Sequence, residues 1–244
     1  MNEKIAIIFI GTNKYINFFP QYYGALENHF LKDCPKTYFA FTDQVDQHFL
    51  NYDNVVKIKV DHLDWPFITL YRFKFINQIK EKLEEFDWIF FIDADLIAAS
   101  EITKDDILNH GKSLIGVQHP GFMGIIGSFE TNGNSTANIL DGYYDLKEYR
   151  QGCLWGGKSK QFIDMIIELD RRVDADLEKE VVAVWHDESH MNKYFVENNS
   201  DVFTLHAGFA TPQQGYDHIK ANFETKFIHL YKDLNEFPRF AYSR

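Results

Sequence analysis

A chain of 244 residues with 45% hydrophobic and 16% aromatic side chains carries enough apolar material for one large core and too much for a disordered acidic tail. Lys and Arg number 25 against 36 Asp and Glu; the formal charge of −11 excludes a broad nucleic-acid footprint but leaves room for a small basic pocket. Two cysteines, Cys34 and Cys153, form no disulfide framework and fit a reducing compartment, and no apolar run reaches the roughly 18 residues of a membrane span.

Along the chain, Ile5 to Ile10 is a continuous apolar run, the pattern of a strand buried on both faces, and Gly11-Thr12-Asn13 ends it. Residues 17–30 read as a helix, 37–41 as a second strand and 54–60 as a third. Residues 69–86 read as one long amphipathic helix with Leu70, Phe73, Ile76, Ile79 and Leu83 on its apolar face, and Trp88 to Ile92 is again a buried strand. Such alternation predicts an α/β sheet built by crossovers, with ligands gathered outside the carboxyl ends of its strands. The second half is less regular. Residues 114–117 suggest a strand, and the Gly- and Asn-rich stretch 124–138 a mobile surface loop. Residues 141–157, rich in Gly and Tyr, suggest loops around a cleft. Residues 159–172 read as a helix with Phe162, Met165, Ile166 and Leu169 inward, and 187–198 as another. At the end, Phe237, Phe240 and Tyr242 with Arg239 and Arg244 either pack on the core or meet an anionic surface. The N-terminus has no signal-peptide pattern, so the expectation is a cytoplasmic protein, free or peripheral at the inner face of a membrane.

Three segments carry residues suited to chemistry. Asp93-Ala94-Asp95 follows a buried strand; two carboxylates so placed can hold a divalent cation and through it a diphosphate, or else cap a turn. Trp185-His186-Asp187-Glu188-Ser189-His190 stands where a helix begins. The His spacing invites a zinc reading, but a zinc peptidase needs Glu directly after the first His, and Asp187 is there. The adjacent Asp187 and Glu188 either cap the helix beside solvent or line a pocket for a polar substrate, and Trp185 is a core residue or a ligand contact. His119-Pro120-Gly121-Phe122 follows another strand, where His119 either meets a hydroxyl-rich ligand or closes its own turn. The turn Gly11 to Tyr15 can offer backbone N–H groups and an aromatic ring to a base, without a dinucleotide fingerprint.

The run Trp185 to Tyr194 closely resembles the signature of glycosyltransferase family 6, which includes the blood-group A and B transferases, the α-1,3-galactosyltransferases and shorter bacterial relatives. Phe41-Thr42-Asp43, Asp93-Ala94-Asp95, His119 to Phe122 and Gly156-Gly157 follow in family order, so the likeness spans residues 5–200 and fades beyond. It implies an α/β GT-A fold, a single Rossmann-like domain with a mixed central sheet over residues 1–244, of which 1–95 would bind nucleotide and 96–244 the acceptor. The implied reaction moves galactose or N-acetylgalactosamine from its UDP donor, with retention, in α-1,3 linkage to a galactoside acceptor, a fucosylated oligosaccharide or glycolipid bearing a blood-group-like glycan. Asp93 and Asp95 would hold Mn²⁺ or another divalent cation; Gly11, Thr12, Tyr15 and Arg72 would serve the nucleotide. His119, Gly156, Trp185 and His186 would meet sugar, Asp187 would orient the donor, and Glu188 would stand beside the anomeric carbon. Gln151 and Cys153 fall at two donor-selecting positions, where their size leans towards galactose. Lys226, Lys232, Arg239 and Arg244 are candidates for a cation closing on the diphosphate. The likeness is to the short bacterial type, without stem or membrane anchor. Transfer of another UDP-sugar, or a pocket that binds without turnover, are the competing readings.

Overall fold

The computed structural model describes residues 2–139 and 148–233; the aromatic and basic stretch Phe237 to Arg244 lies outside the described residues, as do Arg239 and Arg244 with it. The elements in chain order begin with β1 (Ile5–Ile10), α1 (Phe19–His29), β2 (Lys36–Thr42), β3 (Val55–Lys59), α2 (Phe67–Leu70), α3 (Arg72–Asn77), α4 (Lys80–Leu83), β4 (Trp88–Ile92) and β5 (Leu96–Ala98). There follow α5 (Lys104–Ile107), β6 (Leu114–Gln118), β7 (Arg150–Lys158), α6 (Ser159–Leu177), α7 (Asp187–Glu197), β8 (Val202–Leu205), β9 (Thr211–Pro212), α8 (Asp217–Asn222) and β10 (Phe227–His229).

Seven strands form one mixed sheet in the order β3-β2-β1-β4-β7-β6-β8, the expected α/β architecture. Within it only β7 runs antiparallel to its neighbours. The carboxyl ends of β1, β4, β6 and β8 and the amino end of β7 therefore share one edge of the sheet. The chain winds outward from β1 to β3 and returns on the other side as β4, which makes the β1–β4 boundary a switch point where ligands collect. Both faces are covered, and the period of two sorts the apolar runs between them. Ile5, Ile7 and Phe9 join Phe90 and Ile92 in a core beneath α1. Ala6 and Ile8 join Ile89, Phe91 and Trp155 on the other side, packed by α3, α6 and α7.

Three sequence expectations change. The helix foreseen over 69–86 is broken into α2, α3 and α4. Its apolar face is right, since Leu70, Phe73, Ile76, Ile79 and Leu83 are all buried, but Phe, Tyr, Ile and Asn are poor helix formers, and the pieces are held by packing and by bonds from Lys74 and Asn77 to Asp174 and Asp170 of α6. Residues 150–157, expected as loop, form β7 in the middle of the sheet. The glycines that suggested turns serve close approach instead: a Cβ on Gly156 would stand 2.5 Å from the Ile89 carbonyl oxygen, and one on Gly157 2.6 Å from that of Ser113. Finally, the 124–138 stretch is a loop, with Ile125 and Ile126 exposed, but its later half is tied down. Ser135 Oγ and the Thr136 N–H donate to the buried Asp176 carboxylate of α6 at 2.5 and 2.7 Å, and Glu130 accepts the Val184 N–H at 2.6 Å. The helix foreseen over 159–172 exists and runs on to Leu177, with Phe162, Met165, Ile166 and Leu169 buried.

Candidate active site

A cavity of about 560 Å³ opens at the carboxyl ends of β1 and β4, lined by Thr12, Tyr15, His62, Trp65, Arg72, Asp93, Asp95, Trp185, His186, His229 and Lys232. Its size is that of a small-molecule site. The Gly11–Tyr15 turn forms one wall, with three of its amides already engaged. The Gly11 N–H donates to Phe41 O, that of Asn13 to Asp43 Oδ1 and that of Tyr15 to Thr12 O. Gly11 is needed for packing, since a Cβ there would meet the Phe9 ring at 2.5 Å. Thr12 Oγ1 and His62 Nδ1 share a 2.8 Å hydrogen bond, and the Tyr15 ring lines the cavity with the Lys232 ammonium over it.

Arg72 joins the two acidic motifs. Its guanidinium lies 3.2 Å from Asp93 and 2.7 Å from Asp187, donates to Gly152 O at 3.2 Å, and sits over the Phe91 ring. Burial works to lower its pKa, but Asp187 and Asp93 prevail and raise it, so the charge is fixed. Burial also drives the carboxylates: Asp93 is raised despite Arg72, and Asp187 is pushed up to about 6. Asp95 differs. Burial would raise it, but His229 and Lys232 outweigh that and hold it far below the usual carboxylate range.

Glu188 is the most deliberately placed acid. In β7 the register against β6 slips between Gly116 and Val117, so Gly152 to Leu154 bulge out of that pairing. The freed Gly152 N–H donates to Glu188 Oε2 at 2.7 Å, and the Tyr149 hydroxyl donates to Oε1 at 2.6 Å. Asn192, one turn along α7, locks the helix to β7 through both the N–H and the carbonyl of Arg150. Burial lifts Glu188 to about 7, against those two donors. The helix enters through His186, whose φ of 52° is a costly backbone for a residue with a side chain. Burial, then Arg72, lowers the His186 imidazole to about 4, so it stands neutral with its ring edge-on to Trp65.

The other foreseen residues divide. Trp185 lines the cavity and is 47% exposed, its Nε1–H donating to Ser128 Oγ at 2.7 Å, so the core reading fails; the core tryptophans are Trp88 and Trp155. His119 closes its own turn, with Nδ1 accepting the Gly121 N–H at 2.9 Å, and its ring packs against Phe122 and Tyr149. It thereby packs on the tyrosine that bonds Glu188, and none of the three lines the main cavity. Gln151 precedes the bulge, and its Oε1 is buried without a partner. Cys153 and Gly156 do not reach the cavity: Cys153 is 1% exposed within the core under α1, and Gly156 is covered by Ile89 and Phe90. Lys232 lines the cavity, whereas Lys226 faces away, bound to Glu224, Asp106 and the Glu101 carbonyl. Tyr149, His62 and His229 escaped the sequence reading. His229 arrives through β10, which pairs antiparallel with β5 just after Asp95, a long-range pairing of three residues with no local signal.

Asp93, Asp95 and His229 offer ligand atoms that all lie within 4.8 Å of one another. Asp93 and Asp95 line the cavity together with the cations Lys14, Arg72 and Lys232, and Arg72 pairs in turn with Asp187, the neighbour of Glu188. Two carboxylates, Asp95 buried and Asp93 half-buried, with an imidazole beside them are a donor set that fits a divalent cation.

Similarity to known proteins follows the same residues. The sequence profile of Glycosyltransferase family 6 matches residues 1–205. The O-antigen biosynthesis glycosyltransferase WbnI of Escherichia coli is 34% identical over 197 residues, 80% of this chain and 82% of that protein. Globoside alpha-1,3-N-acetylgalactosaminyltransferase 1 of Gallus gallus is 27% identical over 211 residues, and histo-blood group ABO system transferase 2 of Rattus norvegicus 25% over 205, each covering 80% of this chain. The matches span only 58% and 60% of those two vertebrate proteins. No helix among the described residues is long and apolar enough to cross a membrane. With its GT-A-like α/β sheet and its acidic motifs gathered at the switch point, the chain belongs to glycosyltransferase family 6.

Proposed function

We propose that this glycosyltransferase moves galactose or N-acetylgalactosamine from its UDP donor, with retention and in α-1,3 linkage, to a galactoside acceptor. The observation that carries this reading is that Arg72, at the cavity wall, pairs with Asp93 of one acidic motif and with Asp187 of the other. In this reading residues 1–95 hold the nucleotide, with Tyr15 and Thr12 at the base, and the remainder shapes the acceptor side. Asp93 and Asp95 would hold Mn²⁺ or a similar cation, which when bound offsets charge on the departing diphosphate. Arg72 and Lys232 add fixed positive charge to the same end of the cavity.

Glu188 does the work at the sugar. Its two oxygens are aimed by Tyr149 and Gly152, so it meets the anomeric carbon without reorganising. Retention follows by either of two courses. In one, a Glu188 oxygen bonds to the anomeric carbon as the bond to phosphate breaks, and the acceptor hydroxyl then displaces it. In the other, UDP departs and the acceptor enters on the same face while Glu188 stabilises the cationic centre. Asp187, held by Arg72, orients donor hydroxyls, and the exposed face of Trp185 with His119 receives the acceptor. Of the two donor-selecting positions, Cys153 is buried in the core, which leaves Gln151 to meet the sugar. The reading extends to a cytoplasmic site of action, at a membrane face where the acceptor is a glycolipid, in line with the O-antigen role in the E. coli relative's name.

The test is incubation with UDP-galactose or UDP-N-acetylgalactosamine, with Mn²⁺ or EDTA, and a fucosylated galactoside, reading UDP and product mass together. Product from one donor, lost in EDTA, is the expected result. UDP binding with no release of UDP from any UDP-sugar would favour a binding protein.

A further inference from the structure

We infer that His229 is a third protein ligand of the cation held by Asp93 and Asp95, and that Lys232 fills the cation's place at Asp95 until the metal arrives. The inference rests on the metal reading of the acidic pair and adds to it a nitrogen ligand and a competitor, both supplied by the chain beyond the family match.

The placement of His229 is built by backbone. His229 of β10 stands opposite Leu96 of β5, and the Leu230 N–H donates to the Asp95 carbonyl at 2.9 Å. These bonds keep the imidazole at the acidic turn whatever occupies the cavity. His229 Nε2 lies 3.1 Å from Asp95 Oδ2. Neighbouring ligands in an octahedral shell of radius about 2.1 Å are about 3 Å apart, so this spacing suits two atoms that share one ion. An imidazole in the shell favours Mn²⁺, Co²⁺ and their neighbours over Mg²⁺ and Ca²⁺, which prefer oxygen alone.

Lys232 meets the same carboxylate oxygen as His229, Asp95 Oδ2, and its ammonium lies over the Tyr15 ring. A dication bonded to that oxygen excludes an ammonium from it by both space and charge. Metal binding therefore releases Lys232 from Asp95 while its position at the cavity wall is kept, and a cation that had neutralised the protein becomes available to phosphate oxygens. Loading the metal and arming Lys232 for the diphosphate are then one event.

The experiment is electron spin echo spectroscopy of the protein with Mn²⁺ alone and with Mn²⁺ plus UDP, alongside Mn²⁺ titrations of wild type, H229A, D95N and K232M, each checked for folding by circular dichroism. Directly bound imidazole gives nitrogen modulation of the Mn²⁺ echo. The expected result is modulation in wild type that vanishes in H229A, with Mn²⁺ affinity about 10-fold or more weaker in H229A and lost in D95N. K232M should bind Mn²⁺ about 3- to 10-fold more tightly without UDP, since a competing charge is gone, and UDP more weakly with Mn²⁺ present. An echo without nitrogen modulation, or no Mn²⁺ binding at millimolar concentration in either condition, overturns the ligand role of His229. Unchanged or weaker Mn²⁺ binding in K232M overturns the exchange. Mn²⁺-dependent transfer with a nitrogen-free echo would sink this inference alone, whereas transfer indifferent to EDTA would remove the metal reading beneath it.

Discussion

Asp95 is reached by the ammonium of Lys232 and the imidazole of His229, whereas the hydrogen bonds to Glu188 come from a phenol and a backbone amide. Burial pushes both carboxyls the same way. At Asp95 the two cations reverse it, and the group stays ionised far into acid; at Glu188 the neutral donors only temper it, and the group titrates near 7. Identical chemistry in two settings thus gives a permanent anion suited to hold a cation and a second carboxylate whose charge can change near neutral pH. Asp93 and Asp187 share one guanidinium, Arg72, which tempers the rise that burial imposes on both.

The most severe way to break this contrast is to remove charge from one partner at a time. Glu188→Gln keeps the shape and loses the anion, so transfer should fall on the order of 10³-fold while UDP binding measured by calorimetry holds. Asp95→Asn should lose transfer and Mn²⁺-dependent UDP binding together. Equal loss of UDP binding in both variants would erase the division of labour.

A smaller change sharpens the same comparison. Tyr149→Phe deletes the hydroxyl that lowers the Glu188 pKa. If ionised Glu188 is the active form, the wild-type rate rises with pH through about 7, and the variant's acid limb moves to higher pH. Below pH 7 the variant should lose about tenfold, and less above it. A limb that stays in place would detach Tyr149 from the titration.

Stability tests the contrast from the other side. Glu188 has a folded-state pKa of about 7 against the model-peptide range near 4.5, so the folded form holds a proton that the unfolded form has released. Its favourable contribution is complete below about pH 4.5 and is lost as pH rises to about 7, at roughly 1.4 kcal/mol per pH unit. Asp187, at about 6, adds to the same fall over a narrower window. Asp95, with its pKa depressed, behaves oppositely and loses stability only in strong acid. Urea unfolding of Glu188→Gln across pH 5–7 should show a flatter dependence than wild type and greater stability at pH 7.5, the trade of stability for function expected of a buried reactive acid. An unchanged slope would mean that Glu188 is not buried in its protonated form.

What the sequence could say about these two pairs depended on how local each construction is. Asp93 and Asp95 end a five-residue apolar strand, and Asp187 and Glu188 open a helix, so residue pattern alone placed both. Their partners come from afar. His229 lies 134 residues from Asp95, brought there by short pairings that leave no periodic trace, and Gly152 owes its free N–H to a register slip visible only in three dimensions. The glycines of β7 misled for a physical reason: in a sequence they look the same whether they permit a turn or let two backbones approach. Helix breaks at Tyr71 and Ile79 were hidden because the pieces keep the apolar face of a continuous helix.

Trp185 gives the gentlest test, because it lies exposed between two buried acidic pairs. Its indole N–H donates to Ser128 Oγ on the loop after Phe122, and water can take over that acceptor when the hydroxyl is removed. Ser128→Ala should therefore cost about 0.5–1 kcal/mol of ring positioning, seen as a two- to fivefold rise in acceptor KM. Hydrolysis of the donor without acceptor should be unaffected, as should the pH at which Glu188 titrates, since neither oxygen of Glu188 is bound through this loop. A shift in donor hydrolysis or in the acid limb would mean that the exposed aromatic and the buried carboxylate move together, and that acceptor recognition reaches into the setting of the reactive acid.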